Sequence, residues 1–364
     1  MQKVQVHLAA ENSQNTTTLV TNTRVFDGTQ FLDGTFDVLF DNSTISSIEK
    51  AGTGATADTV VDGTGSTLLP GLIDAHVHLS DVEQLATFAA HGVTTVLDMG
   101  TWDPKFVQEL RATTSGAHVY ASGAPLAGAN GGHQHIPGFP ADSLIADVEQ
   151  GIQAVNQRAT EGADYLKLIL DPEDENGMTA ELATALVNAA HEQGLLVIAH
   201  TTDLFSYEVG LAAGVDIFTH VPLGEALDEN IAPRVKLAIP TITMMQEIAY
   251  TNGWPLDGAL DSVQELVRGG ARIMAGTDAN DADGVPANVT FGDTLHEELV
   301  LLNEFGLNPA QALAAATSTT AEVFGLADRG VIAPGKRADL VLAEGNPAED
   351  IRLTQDVQHV WVAR

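Results

Sequence analysis

From about Gly71 to Phe324, short apolar runs alternate with segments whose apolar residues recur at helical spacing. The apolar runs predict strands at Leu72–His78, Val93–Met99, His118–Ser122, Tyr165–Leu170, Leu195–His200, Asp216–His220, Ala238–Thr243 and Arg272–Asp278. Between them, Asp142–Glu161, Thr179–Gln193, Ser262–Arg268 and Asp293–Glu304 read as amphipathic helices. Strands alternating with helices over about 250 residues predict an α/β fold, a closed (β/α)8 barrel. An open doubly wound sheet is the alternative. No Gly-x-Gly-x-x-Gly turn follows the first strand, so its nucleotide-binding form has little support.

The flanks carry a different pattern. Thr18–Asp27 and Phe36–Ser47 read as short antiparallel strands, as do Ala338–Ala343 and Val357–Val362 near the other end. Neither end alone is long enough to bury a core. Both ends are therefore expected to pair into one small β-sandwich domain, 1–66 with 331–364, beside a barrel of residues 67–330. Residues 1–16 are polar and expected to be loosely ordered.

Barrel enzymes carry their chemistry at the carboxyl ends of the strands. Strand one ends in His76 and His78, whose spacing of two puts both rings on one face. Strands five and six end in His200 and His220, and strand eight ends in Asp278. One terminal histidine is ordinarily a structural residue. Four histidines and an aspartate on one rim form a set of nitrogen and oxygen ligands suited to zinc, manganese, cobalt or iron. Lys167 lies inside the apolar run of strand four, where an unpaired ammonium is costly. Either a nearby acid pairs with it, or CO2 has converted it into a metal-bridging carbamate; spacing leaves both open.

Three stretches carry a family resemblance. Pro70-Gly71-Leu72-Ile73-Asp74-Ala75-His76-Val77-His78 resembles the first-strand signature of the amidohydrolase superfamily. Ala275-Gly276-Thr277-Asp278-Ala279 resembles its eighth-strand signature, and Gly335-Lys336-Arg337-Ala338-Asp339-Leu340-Val341 is similar to its return into the small β-domain. The likeness runs from about Leu19 to Val362 and fits the binuclear, imidazolonepropionase- or prolidase-like branch. It implies two divalent metal ions, most simply zinc. His76, His78 and Asp278 would hold the more buried ion, His200 and His220 the other, and carboxylated Lys167 would bridge them. The implied activity is amide (C–N) hydrolysis by a metal-bridging hydroxide, with Asp278 as the proton shuttle. An N-acyl amino acid or dipeptide is the expected kind of substrate.

The same resemblance sets the rivals. A mononuclear deaminase of the superfamily needs no lysine bridge, and tends to place a glutamate three residues after the strand-five histidine; Asp203 stands there. A cyclic-amide or lactone hydrolase is a second alternative. A metal-free binding protein on the same fold is the third, although every expected ligand position is filled.

Other candidates are looser. The Gly-rich stretch Ser122–Pro140 is long enough to be a functional loop, and lacks the Gly-Lys-Ser/Thr ending of a phosphate-binding loop. It carries His133-Gln134-His135, of which His133 is the candidate substrate or oxyanion contact. The segment Met244–Trp254 reads as a loop whose Tyr250 and Trp254 wall a substrate pocket. Tyr207 is a further candidate contact.

Composition narrows the partners. The net charge of −33 opposes binding to nucleic acid or anionic lipid, and leaves a small-molecule substrate and a homo-oligomer as the compatible partners. With no cysteine there is no thiolate ligand or nucleophile. No apolar run approaches the ~20 residues of a membrane span, and the first residues do not read as a signal peptide, so a cytoplasmic location is expected. Acid-rich, lysine-poor sequence fits either a high-salt protein or a generally acidic enzyme. Stability rising toward molar NaCl is the result that marks the first.

Overall fold

A computed structural model of the chain describes residues 4–9, 16–52, 54–170 and 177–364. Eight parallel strands form the barrel wall: Leu72–Val77, Val93–Asp98, His118–Ala121, Leu166–Ile169, Val197–His200, Ile217–Thr219, Leu237–Ile239 and Arg272–Ile273. The four residues of the fourth strand and all six of the first two are buried, as expected where helices cover one face and barrel side chains fill the other. Strand three resumes at Leu126–Gly128, which pairs in parallel with strand four. The ring closes between strands one and eight: Val77 bridges Ala279 in parallel, and the Ala75 amide donates to the Ala275 carbonyl at 2.9 Å.

Several helices start where a polar side chain caps free amides. Asp147 accepts from the Gln150 amide ahead of Val148–Glu161, and Thr179 from Leu182 ahead of Ala180–Glu192. Asp203 accepts from Ser206 ahead of Leu204–Ala213. The cap at Asp147 explains why the segment expected as one helix from Asp142 begins at Val148. Ala141–Ser143 forms a 3-10 turn instead, and Leu144–Ile145 pairs with Leu126–Gly128. The helix expected from Ser262 starts earlier, at Asp257.

Strand seven ends at Ile239 rather than Thr243, because Pro240 has no amide to continue the ladder. The chain turns at Thr241, and Ile242–Asn252 is a helix, not the loop expected from Met244. Ile242, Met244, Met245 and Ala249 are buried by that helix.

Both ends of the chain build one further sheet, with strands in the order Gln5–Leu8, Val357–Val362, Leu340–Glu344, Ser66–Pro70, Thr18–Val25, Phe36–Phe40 and Ile45–Lys50; Thr59–Asp62 also pairs with Thr18–Val25. The sheet folds over a second core of Val20, Val38, Phe40, Leu68, Leu340 and Trp361, with Phe40 edge-on to Trp361 at 5.2 Å. Two expectations change here. Ser66–Pro70 belongs to this sheet, so the handover to the barrel falls at Gly71 rather than at residue 67. Gln5–Leu8, expected to be loose, pairs in parallel with Val357–Val362; residues 1–3 and 10–15 of the expected loose stretch lie outside the described residues.

His296 ties the barrel's outer layer together: Nε2 contacts the His91 carbonyl at 2.9 Å and Nδ1 the Thr354 hydroxyl at 3.0 Å. Burial pushes its pKa down from 6.5 to about 4. The folded protein therefore holds it neutral where the unfolded chain protonates it. Its contribution is complete above pH 6.5 and is lost as pH falls toward 4. His296→Gln is expected to flatten the pH dependence of the urea midpoint within that window; an unchanged slope would contradict it.

Candidate metal centre

His76 Nε2, His78 Nε2 and Asp278 Oδ1 converge at the barrel rim, separated by 3.3, 3.3 and 3.1 Å. Lys167 Nζ lies 3.4 Å from His76 Nε2. A tetrahedral ion with bonds of about 2.0–2.2 Å sets its ligand atoms roughly 3.3–3.6 Å apart. Among the described residues, His76, His78 and Asp278 are the group of three side chains close enough to share an ion. The donor set fits a zinc-like cation.

Local sequence explains the placement. Ile73 and Ala75 face the barrel interior while Leu72 and Val77 pack in the outer core, and a register shift between Asp74 and Val77 turns His76 and His78 toward the centre with Asp74 behind them. The buried Asp74 carboxylate accepts the Thr277 hydroxyl at 2.7 Å, the Thr277 amide at 3.1 Å and the His76 amide at 3.2 Å. It thus staples strand one to strand eight. Gly276 permits the approach, since a Cβ there would meet the His76 amide nitrogen at 2.8 Å. Asp278 itself adopts a left-handed φ of 61°, and its amide donates to the His76 carbonyl at 2.8 Å. His76 Nδ1 bonds the Thr219 hydroxyl at 2.8 Å, which leaves Nε2 for the centre.

His200 and His220 adjoin this group. The His220 ring lies 5.0 Å from that of His76 and 4.6 Å from that of His200. His220 Nδ1 bonds the Thr241 hydroxyl at 2.7 Å. Strand register puts His200 beside Ile169 and Lys167 beside Ile198, so Lys167 sits one step deeper in the barrel.

Electrostatics match the placement. Burial drives His76 and His200 well below the usual imidazole range and His220 down to about 3, which keeps all three in the neutral, ligand-competent form. Lys167 is only 2% exposed, and burial pushes its pKa down to about 7 against the opposing pull of Asp278 and Asp98. Burial raises Asp278, but the His78 hydrogen bond and the neighbouring His220, His78 and Lys167 outweigh it and hold the carboxyl below its ordinary value. Burial raises Asp74 to about 7.

The Gly-rich loop lies across the rim. His133, in the 3-10 turn Gly132–His135, packs edge-on against His200 at 4.9 Å. It also meets Phe139 at 6.4 Å, and Phe139 meets Trp102 at 5.7 Å. Gly138 has a φ of 82° and runs so close to Trp102 that a Cβ would meet the indole at 3.2 Å. His135 is exposed.

The other expected substrate contacts are placed differently. Tyr207 is fully buried, with its hydroxyl donating to the His220 carbonyl, so it supports the rim from below rather than facing it. Tyr250 and Trp254, at the end of the Ile242–Asn252 helix and just beyond it, are 84% and 57% exposed. Asp203, at the position of the deaminase glutamate, is spent as a helix cap. Asp74, Trp102, Phe139, Thr219 and Thr241 were not singled out from sequence. Asp74 lies within the stretch that resembles the first-strand signature; nothing local marks the others.

Residues 67–363 match the family model described as the amidohydrolase family. The chain is 26% identical to adenine deaminase 2 of Rhizobium meliloti over 355 residues, covering 85% of this chain and 50% of that protein. It is 25% identical to ochratoxinase of Aspergillus niger over 365 residues, covering 81% and 74%. The chain thus spans about half the length of the first curated relatives it matches. Among solved structures, a Xaa-Pro dipeptidase with bound methionine superposes with a TM-score of 0.81 at 23% identity, covering 94% of this chain and 98% of that one.

Proposed function

The chain belongs to the amidohydrolase family, and from that premise we propose that it is a metal-dependent hydrolase cleaving the amide C–N bond of a small neutral or amphipathic substrate, such as an N-acyl amino acid or a dipeptide. The convergence of His76, His78, Asp278 and Lys167 at metal-ligand spacing carries the reading. Relatives named ochratoxinase, enamidase and Xaa-Pro dipeptidase support it.

In this reading His76, His78 and Asp278 hold one divalent ion and His200 and His220 a second. Lys167, if carboxylated by CO2, would hold both ions by turning a buried amine into a carboxylate ligand. Zinc fits the ligands, with manganese, cobalt and iron as the other candidates. Bound ions of this kind supply Lewis acidity and lower the pKa of water. The chain's own residues do the rest. Asp278, held as a carboxylate, takes the proton of the attacking water and returns it to the leaving nitrogen. His133, whose ring packs against His200, would donate to the oxygen that gains charge. The Trp102–Phe139 pair gives the loop an apolar surface next to His133.

Relatives named adenine deaminase 2 keep a deaminase as the second reading. Metal analysis separates the two. About two ions per chain supports the hydrolase, one the deaminase, and none a non-catalytic protein. The zinc-loaded protein is then expected to hydrolyse members of a panel of N-acyl amino acids and dipeptides. Release of ammonia from aminopurines with no amide cleavage would sink the proposal. Among the described residues no helix is long and apolar enough to cross a membrane.

A further inference from the structure

Three non-glycine residues among those described have a positive φ: Asn22, Thr241 and Asp278. Two of the three lie at the metal centre. Asp278 is a ligand candidate itself. Thr241 touches no ion position, yet it is β-branched and held at φ 49°, ψ 50°, a conformation that such residues rarely adopt.

The strain has a geometric product. With this backbone the Thr241 hydroxyl reaches His220 Nδ1 at 2.7 Å and the Pro240 carbonyl at 2.8 Å. The carbonyl can only accept, so the hydroxyl proton goes to Pro240. Toward His220 the hydroxyl oxygen is then an acceptor, and Nδ1 carries the imidazole proton. The free lone pair is on Nε2.

That arrangement leaves a debt at the next helix. Thr241 is the N-cap residue of Ile242–Asn252, and its side chain makes no capping bond, because the hydroxyl is engaged by His220 and Pro240. The cap comes from another helix. Glu298, fully buried on Thr294–Glu304, accepts the Ile242 amide at 3.1 Å through Oε1. Through Oε2 it accepts the Thr243 amide at 2.9 Å and the Thr243 hydroxyl at 3.0 Å. A carboxylate imported into the core does the work that threonine ordinarily does at an N-cap.

We infer that Thr241 and Glu298 are a positioning pair for His220: Glu298 holds the helix start in place of Thr241, and Thr241 fixes the ring and tautomer of His220, which sets how tightly the second ion binds. The inference rests on the two-ion reading above.

The test is a competitive zinc titration of the metal-free full-length chain, with thermal unfolding followed in parallel. Wild type is expected to bind zinc in two steps. Thr241→Gly removes the hydroxyl and also relieves the backbone strain, so it should keep or raise the melting temperature. It should weaken the second step about 10–100-fold and leave the first unchanged. Thr241→Ser keeps the hydroxyl and should retain wild-type affinity. Glu298→Gln, which keeps one acceptor oxygen and loses the other, should weaken the second step alone.

Wild-type second-step affinity in Thr241→Gly would overturn the inference, as would Thr241→Ser losing as much as Thr241→Gly. An unaltered second step in Glu298→Gln would reduce Glu298 to a helix cap and overturn the pairing. A wild-type chain that binds a single zinc would instead overturn the two-ion reading itself, before any variant is compared.

Discussion

Asp278→Asn is expected to lower turnover by about 10³-fold or more while the protein stays folded. Asparagine has the same shape and is among the residues that tolerate the left-handed φ of 61° at this position. The hydrogen bond donated by the residue 278 amide to the His76 carbonyl and the Asp74–Thr277 staple do not depend on the Asp278 carboxylate. What is lost is the anion 3.1 Å from His78 and 3.3 Å from His76, the group proposed to carry a proton from water to nitrogen. Circular dichroism and the melting temperature check the fold, and kcat on a substrate found in the amide panel checks the chemistry. Turnover equal to wild type would rule out the proton-shuttle role.

Lys167→Met is the second large effect, and its two arms point in opposite directions. Methionine has similar length and no charge. The metal-free protein should be as stable as wild type or more so, because a buried amine no longer has to be desolvated. Ion occupancy and turnover should collapse, with activity falling about 10³-fold or more if the lysine carries the bridge. Lys167→Ala should behave the same way at the centre, but its cavity admits small carboxylates, so added formate or acetate should restore part of the lost occupancy. Full metal occupancy and full activity in Lys167→Met would show that the residue is a structural lysine paired with an acid.

Both predictions concern residues that the sequence already marked. His76, His78, His200, His220 and Asp278 stand at the ends of apolar runs, which parallel strands of one barrel bring to one rim, and Lys167 is a charge inside such a run. Period-two alternation was enough to place His76 and His78 on a common face. The barrel of eight strands was legible for the same reason, since strands one, two, four and six are buried on both faces and read as largely apolar runs.

Local pattern failed where a distant partner decided the outcome. The segment from Met244 lacks a capping residue of its own and reads as a loop; it is a helix because Glu298, more than fifty residues later in the chain, caps it. Tyr207 reads as a substrate contact and is instead buried, its ring stacked on Phe218 of strand six at 5.1 Å and its hydroxyl on the His220 carbonyl. Gln5–Leu8 reads as loose and becomes a strand only when Val357–Val362 supplies an edge.

Residue type and apolar run together were enough to name the candidate ligands and their order around the barrel. These follow from hydrophobic period and residue type, which are local. How close they come was settled by long-range closure of the fold. Barrel closure sets Asp74 against Thr277 and Asp278 against His76, and the folded loop sets His133 against His200. It also decided that Thr241 bends into a left-handed turn to hold His220. Those distances depend on chain closure between residues as many as two hundred positions apart, and no local periodicity encodes that.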